Sequence, residues 1–115
     1  MLFLEYPPCS TCQKARKWLE ANGISFESRH IKNENPSYEE LKLWYGRSGL
    51  TLKRFFNTSG LLYKSLGLKD KLGTMTEEEQ LQLLASDGML VKRPLVICDD
   101  RILVGFRENE WESLK

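Results

Sequence analysis

The sequence predicts an α/β fold, and three observations carry that expectation. A short apolar strand runs into an amphipathic helix and on to a second strand; a block of helices with no strand character follows; and the chain closes with a hairpin and a last helix. The element order is therefore βαβ, helices, ββα. With 115 residues, no linker, no internal repeat and no low-complexity tract, the chain is expected to be a single domain over 1–115 with the helical block inserted at about 36–90.

Each element follows from local chemistry. Leu2-Phe3-Leu4-Glu5-Tyr6 has strand character, and Pro7-Pro8 stops the ladder. Ser10 with Gln13 fits a capping box, Ala15, Trp18 and Leu19 form the i, i+3, i+4 stripe, and Asn22-Gly23 is the stop. Ile24 to Arg29 alternates apolar or small with polar residues and reads as a half-exposed strand, which completes a βαβ unit over residues 1–31. The right-handed crossover of such units places the helix start above the C-terminal end of the first strand. Pro36-Ser37 with Glu40 is a second capping box, whose helix carries Leu41, Trp44 and Tyr45 and is expected to end near Gly46. Leu61 to Leu66 is a short helix closed by Gly67, and Thr76 with Glu79 opens another through Leu81 and Leu84 to Asp87-Gly88. Thr51 to Ser59 gives no clear pattern. Leu95 to Cys98, the Asp99-Asp100 turn and Ile102 to Val104 read as a β-hairpin, and Glu108 to Leu114 as a final helix.

Composition excludes several classes of function. Lys plus Arg is 17 and Asp plus Glu 16, a formal charge of +1 with the signs mixed, so no bulk field attracts nucleic acid or an anionic membrane. No apolar run reaches the ~20 residues of a membrane helix, and the first strand begins without a basic and apolar leader. Three cysteines without framework spacing suit a reducing cytoplasmic setting, where a Cys-x-x-Cys is catalytic, redox-sensing or metal-binding.

The chemistry concentrates in Cys9-Ser10-Thr11-Cys12. A helix start presents unpaired N–H groups and the positive end of its dipole, so a sulfur held there is stabilised as thiolate, with a pKa of roughly 3.5 to 7.5 against about 8.5 for a free thiol. Cys12 stands three and seven residues before Ala15 and Leu19, on the stripe that packs inward, whereas Cys9 sits at the cap within reach of solvent. Cys9 is therefore expected to be the nucleophile and Cys12 the resolving thiol. A zinc site would need Cys98 and His30 as further ligands, and neither has ligand spacing. Cys98 reads as a buried thiol, His30 as a surface or strand-end residue, and Trp18, Trp44 and Trp111 as core.

A βαβ unit with Cys-x-x-Cys at its first helix, followed by an X-Pro, a hairpin and a last helix, resembles the thioredoxin fold and implies a four-stranded mixed sheet. Tyr6-Pro7-Pro8-Cys9, Leu66-Gly67-Leu68-Lys69, Arg93-Pro94 and Val104-Gly105 narrow the resemblance to the arsenate reductase (ArsC) and Spx/MgsR family over essentially the whole chain. That resemblance implies a nucleophile at Cys9, a cis bond before Pro94, which would shape the pocket floor, and an oxyanion-binding arginine at Arg93. The other two arginines of the glutaredoxin-coupled reductases align with Asn57 and Phe106, so arsenate reduction is expected to be weak or non-physiological. Arg54 and Arg107 lie close in sequence, but a shift of one to three residues is expected to turn them elsewhere. The family implies no bound cofactor, with glutathione or a glutaredoxin or thioredoxin system as electron donor. The second thiol, Cys12, is characteristic of the Spx-like and related reductase branch, where it permits an internal disulfide. The alternative it implies is a redox-sensing transcriptional regulator that binds the RNA polymerase α subunit.

Overall fold

The computed structural model describes residues 1–115. Four strands, β1 (Leu2–Glu5), β2 (Glu27–His30), β3 (Leu95–Ile97) and β4 (Ile102–Val104), form one sheet in the order β2-β1-β3-β4. β1 runs parallel to β2, with Leu2 opposite Glu27, and antiparallel to β3, with Phe3 opposite Val96; β3 and β4 are the two arms of the hairpin. The helices are α1 (Ser10–Ala21), α2 (Tyr38–Ser48), α3 (Leu61–Ser65), α4 (Leu68–Lys71), α5 (Glu77–Ser86) and α6 (Glu108–Trp111). The sheet is mixed and four-stranded as expected, and the stretch between β2 and β3 adds no strand to it: its helices and 3₁₀ turns are joined by loops, with one isolated bridge between Phe56 and Val91.

Alternation along β1 sends neighbouring side chains to two cores. Phe3 faces α1 and α6 and joins Ala15, Leu19, Val96 and Trp111, while Leu4 faces the opposite way, into a larger cluster with Ile31, Leu41, Trp44, Leu84 and Leu90 from the helical block. Trp44 and Trp111 are core, as expected; Trp18 is only half-buried and lies edge-on to Trp111 and Phe106 at ring separations of 5.8 and 6.4 Å.

Several boundaries differ from the sequence expectation. The second strand begins at Glu27 rather than Ile24, because Ile24 and Phe26 pack beside the Phe3 cluster instead of joining the ladder. α2 runs past Gly46 to Ser48 and ends on Gly49 in the left-handed region at φ 70°. The Ser37–Glu40 and Thr76–Glu79 capping boxes both form. The Ser10–Gln13 box does not: Cys9 is the N-cap, and the Gln13 amide donates to the Pro7 carbonyl at 2.9 Å. The unpatterned 51–59 stretch contains a 3₁₀ turn, Leu52–Phe55. The turn after α5 needs glycine for a steric reason, since a Cβ on Gly88 would lie 1.9 Å from the Ile31 carbonyl oxygen.

Candidate functional site

Cys9 takes its position from the chain on either side of it. Its backbone is extended, at φ −75° and ψ 125°; its N–H donates to the Tyr6 carbonyl at 2.9 Å, and its own carbonyl accepts from Gln13 at 3.0 Å. The sulfur thus sits at the mouth of α1, facing the free N–H groups of the first turn. Partial burial pushes the Cys9 thiol up, but the neighbouring Cys12 N–H, Cys12 side chain, Arg93 guanidinium and Thr11 N–H favour its anion and outweigh burial, and the net shift is downward.

Cys12 is one turn further in and fully buried. Burial pushes its thiol up to about 12, against the hydrogen bond from the Tyr6 N–H at 3.5 Å and with the Cys9 charge adding to the rise. The two sulfurs are not bonded to each other. Neighbours a single helical turn apart therefore have their acidities pushed in opposite directions, Cys9 toward the thiolate and Cys12 toward the thiol.

Arg93 reaches this pair from the other end of the chain. The Arg93–Pro94 bond is cis. The guanidinium lies over the Tyr6 ring at 5.1 Å, one Nη donates to the Met89 carbonyl at 3.5 Å, and the buried Nε has no partner. Pro94 itself does not line the site; its carbonyl accepts the Gly105 N–H at 2.8 Å, which ties the Arg93 segment to the start of the last connection.

Cys9 and Arg93 open into a cleft of about 730 Å³. Asn57 and Phe106, the positions aligned with missing arginines, line the same cleft, so the three places do converge on one space. Asn57 is nearly buried, its N–H donating to the Leu90 carbonyl at 2.8 Å. Contrary to expectation, Arg54 and Arg107 line the cleft as well. The argument that a shift in sequence turns a side chain away holds within a regular strand or helix, whereas Arg54 lies in a 3₁₀ turn and Arg107 is the extended N-cap of α6. Lys32 and Lys92 are two further cations on the lining that sequence reasoning missed, because nothing in a single chain's pattern joins residues this far apart.

The other candidates lie apart. Cys98 is half-buried just beyond β3 rather than within it, and burial pushes its thiol up. The His30 ring nitrogen accepts the Lys32 and Asn33 N–H groups at 3.3 and 3.1 Å at the end of β2. No three His, Cys, Asp or Glu side chains converge on a common point, and no helix is long and apolar enough to cross a membrane.

Comparison with known proteins agrees with this geometry. A family model described as the ArsC family matches residues 4–114. The Bacillus subtilis protein YusI is 54% identical over 113 residues, spanning 98% of this chain and 96% of its own. The regulatory protein MgsR of the same organism is 31% identical over 99% of this chain and 89% of its own. The crystal structure of an ArsC family related protein from Bacteroides fragilis superposes with a TM-score of 0.97 at 60% identity, covering 99% of this chain and 96% of that one.

Proposed function

The chain belongs to the ArsC family, and on that footing we propose that it is a thiol-disulfide redox protein with Cys9 as nucleophile, Cys12 as resolving thiol and Arg93 as the cation that steadies the Cys9 thiolate. The observation that carries this reading is the contrast between the two sulfurs: one at a helix mouth with its pKa lowered, its neighbour sealed and protonated.

The chemistry follows from that contrast. The Cys9 thiolate attacks one sulfur of a disulfide; a Cys9 mixed disulfide forms, and the other half leaves as a thiolate that takes a proton from solvent. The Cys9 charge that helped raise Cys12 is then gone. Cys12 gives up its proton, its sulfur attacks Cys9, and the second half of the substrate leaves, so the substrate gains two electrons and the protein becomes the Cys9–Cys12 disulfide. Glutathione, or a glutaredoxin or thioredoxin system, would return two electrons and two protons to that disulfide, with no bound cofactor. Of the three positions at which the resemblance implies oxyanion-binding arginines, only Arg93 keeps a guanidinium, with Asn57 and Phe106 at the other two, and this supports weak arsenate turnover at most, even with Arg54 and Arg107 elsewhere on the lining.

The test is a pair of variants. Cys9→Ser is expected to abolish disulfide reduction, and Cys12→Ser to stop at a mixed disulfide on Cys9 visible by intact-mass spectrometry. Unchanged turnover in Cys9→Ser would overturn the reading.

A second reading rests on the likeness to MgsR, named a regulatory protein. There the same thiol pair would act as a sensor, and the partner would be the RNA polymerase α subunit. Stable binding to the polymerase α C-terminal domain, controlled by oxidation of the pair, favours the sensor; turnover without binding favours the enzyme.

A further inference from the structure

The Cys9 cleft is far more basic than the molecule that carries it. Lys32, Arg54, Lys92, Arg93 and Arg107 line it against a single carboxylate, Asp87, while the whole chain is formally +1. Asp87 is already engaged, accepting the Met89 N–H at 2.9 Å. Arg54, Lys92 and Arg107 also line an adjoining hollow of about 260 Å³ that contains Lys53 and no acidic residue. Those three side chains are shared between the space in front of Cys9 and a second one whose charged residues are all basic.

Backbone bonds hold this shared lining in place. Lys92 N–H donates to the Phe55 carbonyl at 2.7 Å, and Phe56 pairs with Val91, so the turn bearing Arg54 is zipped to the strand-like segment bearing Lys92. Gly105 leaves room for the Lys92 stem: a Cβ there would stand 3.3 Å from the Lys92 Cε. Arg107 alone has a carboxylate partner, Glu110, at a loose 3.7 Å on the surface. Cations gathered with so little compensation repel one another, and an anionic ligand relieves that repulsion.

We propose that Arg54, Lys92 and Arg107 form an anion subsite for carboxylates borne on the disulfide that Cys9 attacks, so that the substrate class is a small acidic organic disulfide. This rests on the redox reading of Cys9 and Cys12 and goes beyond it by naming what the cleft selects. The size of the cleft fits a small molecule, and arginines that also line a second hollow to which Cys9 does not contribute fit charges several bonds away from the reacting sulfur rather than on the reacting atom. The reaction is the exchange already described: the acidic disulfide accepts two electrons and leaves as two thiols, and the protein dithiol becomes a disulfide.

The test uses the full reduced chain and three probe disulfides: dithiodipropionate, a dianion; hydroxyethyl disulfide, neutral; and cystamine, a dication. Rates of Cys9–Cys12 oxidation are followed by quenched-flow mass spectrometry and divided by each probe's rate with dithiothreitol. The corrected dianion-to-neutral ratio is expected to be about 10 or more at low salt, and to fall as salt is added. The cystamine-to-neutral ratio is expected below one. The Arg54→Ala/Arg107→Ala double variant, and separately Lys92→Gln, which keeps its stem over Gly105, are expected to lower the dianion ratio several-fold, whereas Lys17→Ala on the exposed side of α1 leaves it unchanged. A ratio near one in the unaltered protein, or one that ignores both variants while circular dichroism shows them folded, overturns the subsite but leaves the redox reading standing. Failure of all three probes to oxidise the pair overturns the redox reading and the subsite together.

Discussion

At the scale of single residues, two cysteines of the same intrinsic acidity are separated by where one helical turn places them. Cys9 stays at the mouth of α1, where backbone N–H groups and Arg93 outweigh the cost of partial burial; Cys12, one turn on, has burial as its dominant influence. The role proposed for Arg93 has a measurable consequence. In Arg93→Ala the Cys9 thiol loses a donor that favours its anion, so the pH midpoint of Cys9 alkylation by iodoacetamide is expected to move upward, with Arg93→Lys restoring part of the shift. A midpoint that does not move would leave the helix N-terminus as the sole activator.

At the scale of elements, ion pairs decide how the helical pieces seat on the sheet. Glu5, almost fully buried at the end of β1, is gripped by Arg16 of α1 and accepts the Ser28 hydroxyl of β2 at 2.5 Å, which fixes the helix bearing the thiols against two strands. On the other side, Arg29 of β2 binds Glu40 of α2 through both Nη atoms at 2.6 and 2.9 Å, and also donates to the Glu34 and Asn35 carbonyls. The Arg29 guanidinium holds the Glu40 carboxyl down to about 2, with burial opposing and the Ser37 N–H assisting. A depressed carboxylate stabilises the fold above its unfolded value of about 4.3, and that contribution disappears as pH falls through about 2. Because the pair is partly open to solvent, the contribution is about 1 kcal/mol. Glu40→Gln is therefore expected to lower stability in urea by about that amount at pH 7 and by progressively less toward pH 2.

At the scale of the whole molecule, one sheet separates two cores, and each is covered by a different set of helices: α1 and α6 on one face, the helical block on the other. The site lies where these layers meet, since Cys9 comes from the start of α1, Arg54 from the helical block, Arg93 from the approach to β3 and Arg107 from the cap of α6. If the two layers form a single cooperative domain, as we propose, Leu19→Ala in one core and Leu84→Ala in the other should each lower one shared urea transition by about 3 kcal/mol. Two separable transitions, each sensitive to only one of the substitutions, would show that the helical block unfolds by itself.

What could be read without the structure is what depends on neighbours in sequence. The 3.6-residue stripe of α1 put Cys12 inside and Cys9 at the cap; the boxes at Ser37 and Thr76 marked two helix starts; the hairpin followed from its turn; and Arg93 was singled out by the proline after it. The thioredoxin-like architecture of the ArsC family was legible in the order of these pieces. Where tertiary contact competes with local pattern, the reading shifts: Gln13 turned from its capping box to Pro7, and Ile24 and Phe26 left the strand for the core. The basic lining of the cleft was beyond the sequence altogether. Lys32, Arg54, Lys92 and Arg107 share no periodicity, and a 3₁₀ turn and an extended cap aim two of them in directions that no helix or strand rule specifies. Sequence alone determined which sulfur would stand at the helix mouth and which would be buried, because helix phase is a local property; the charge that surrounds them was decided only by the packing of four distant segments around one space.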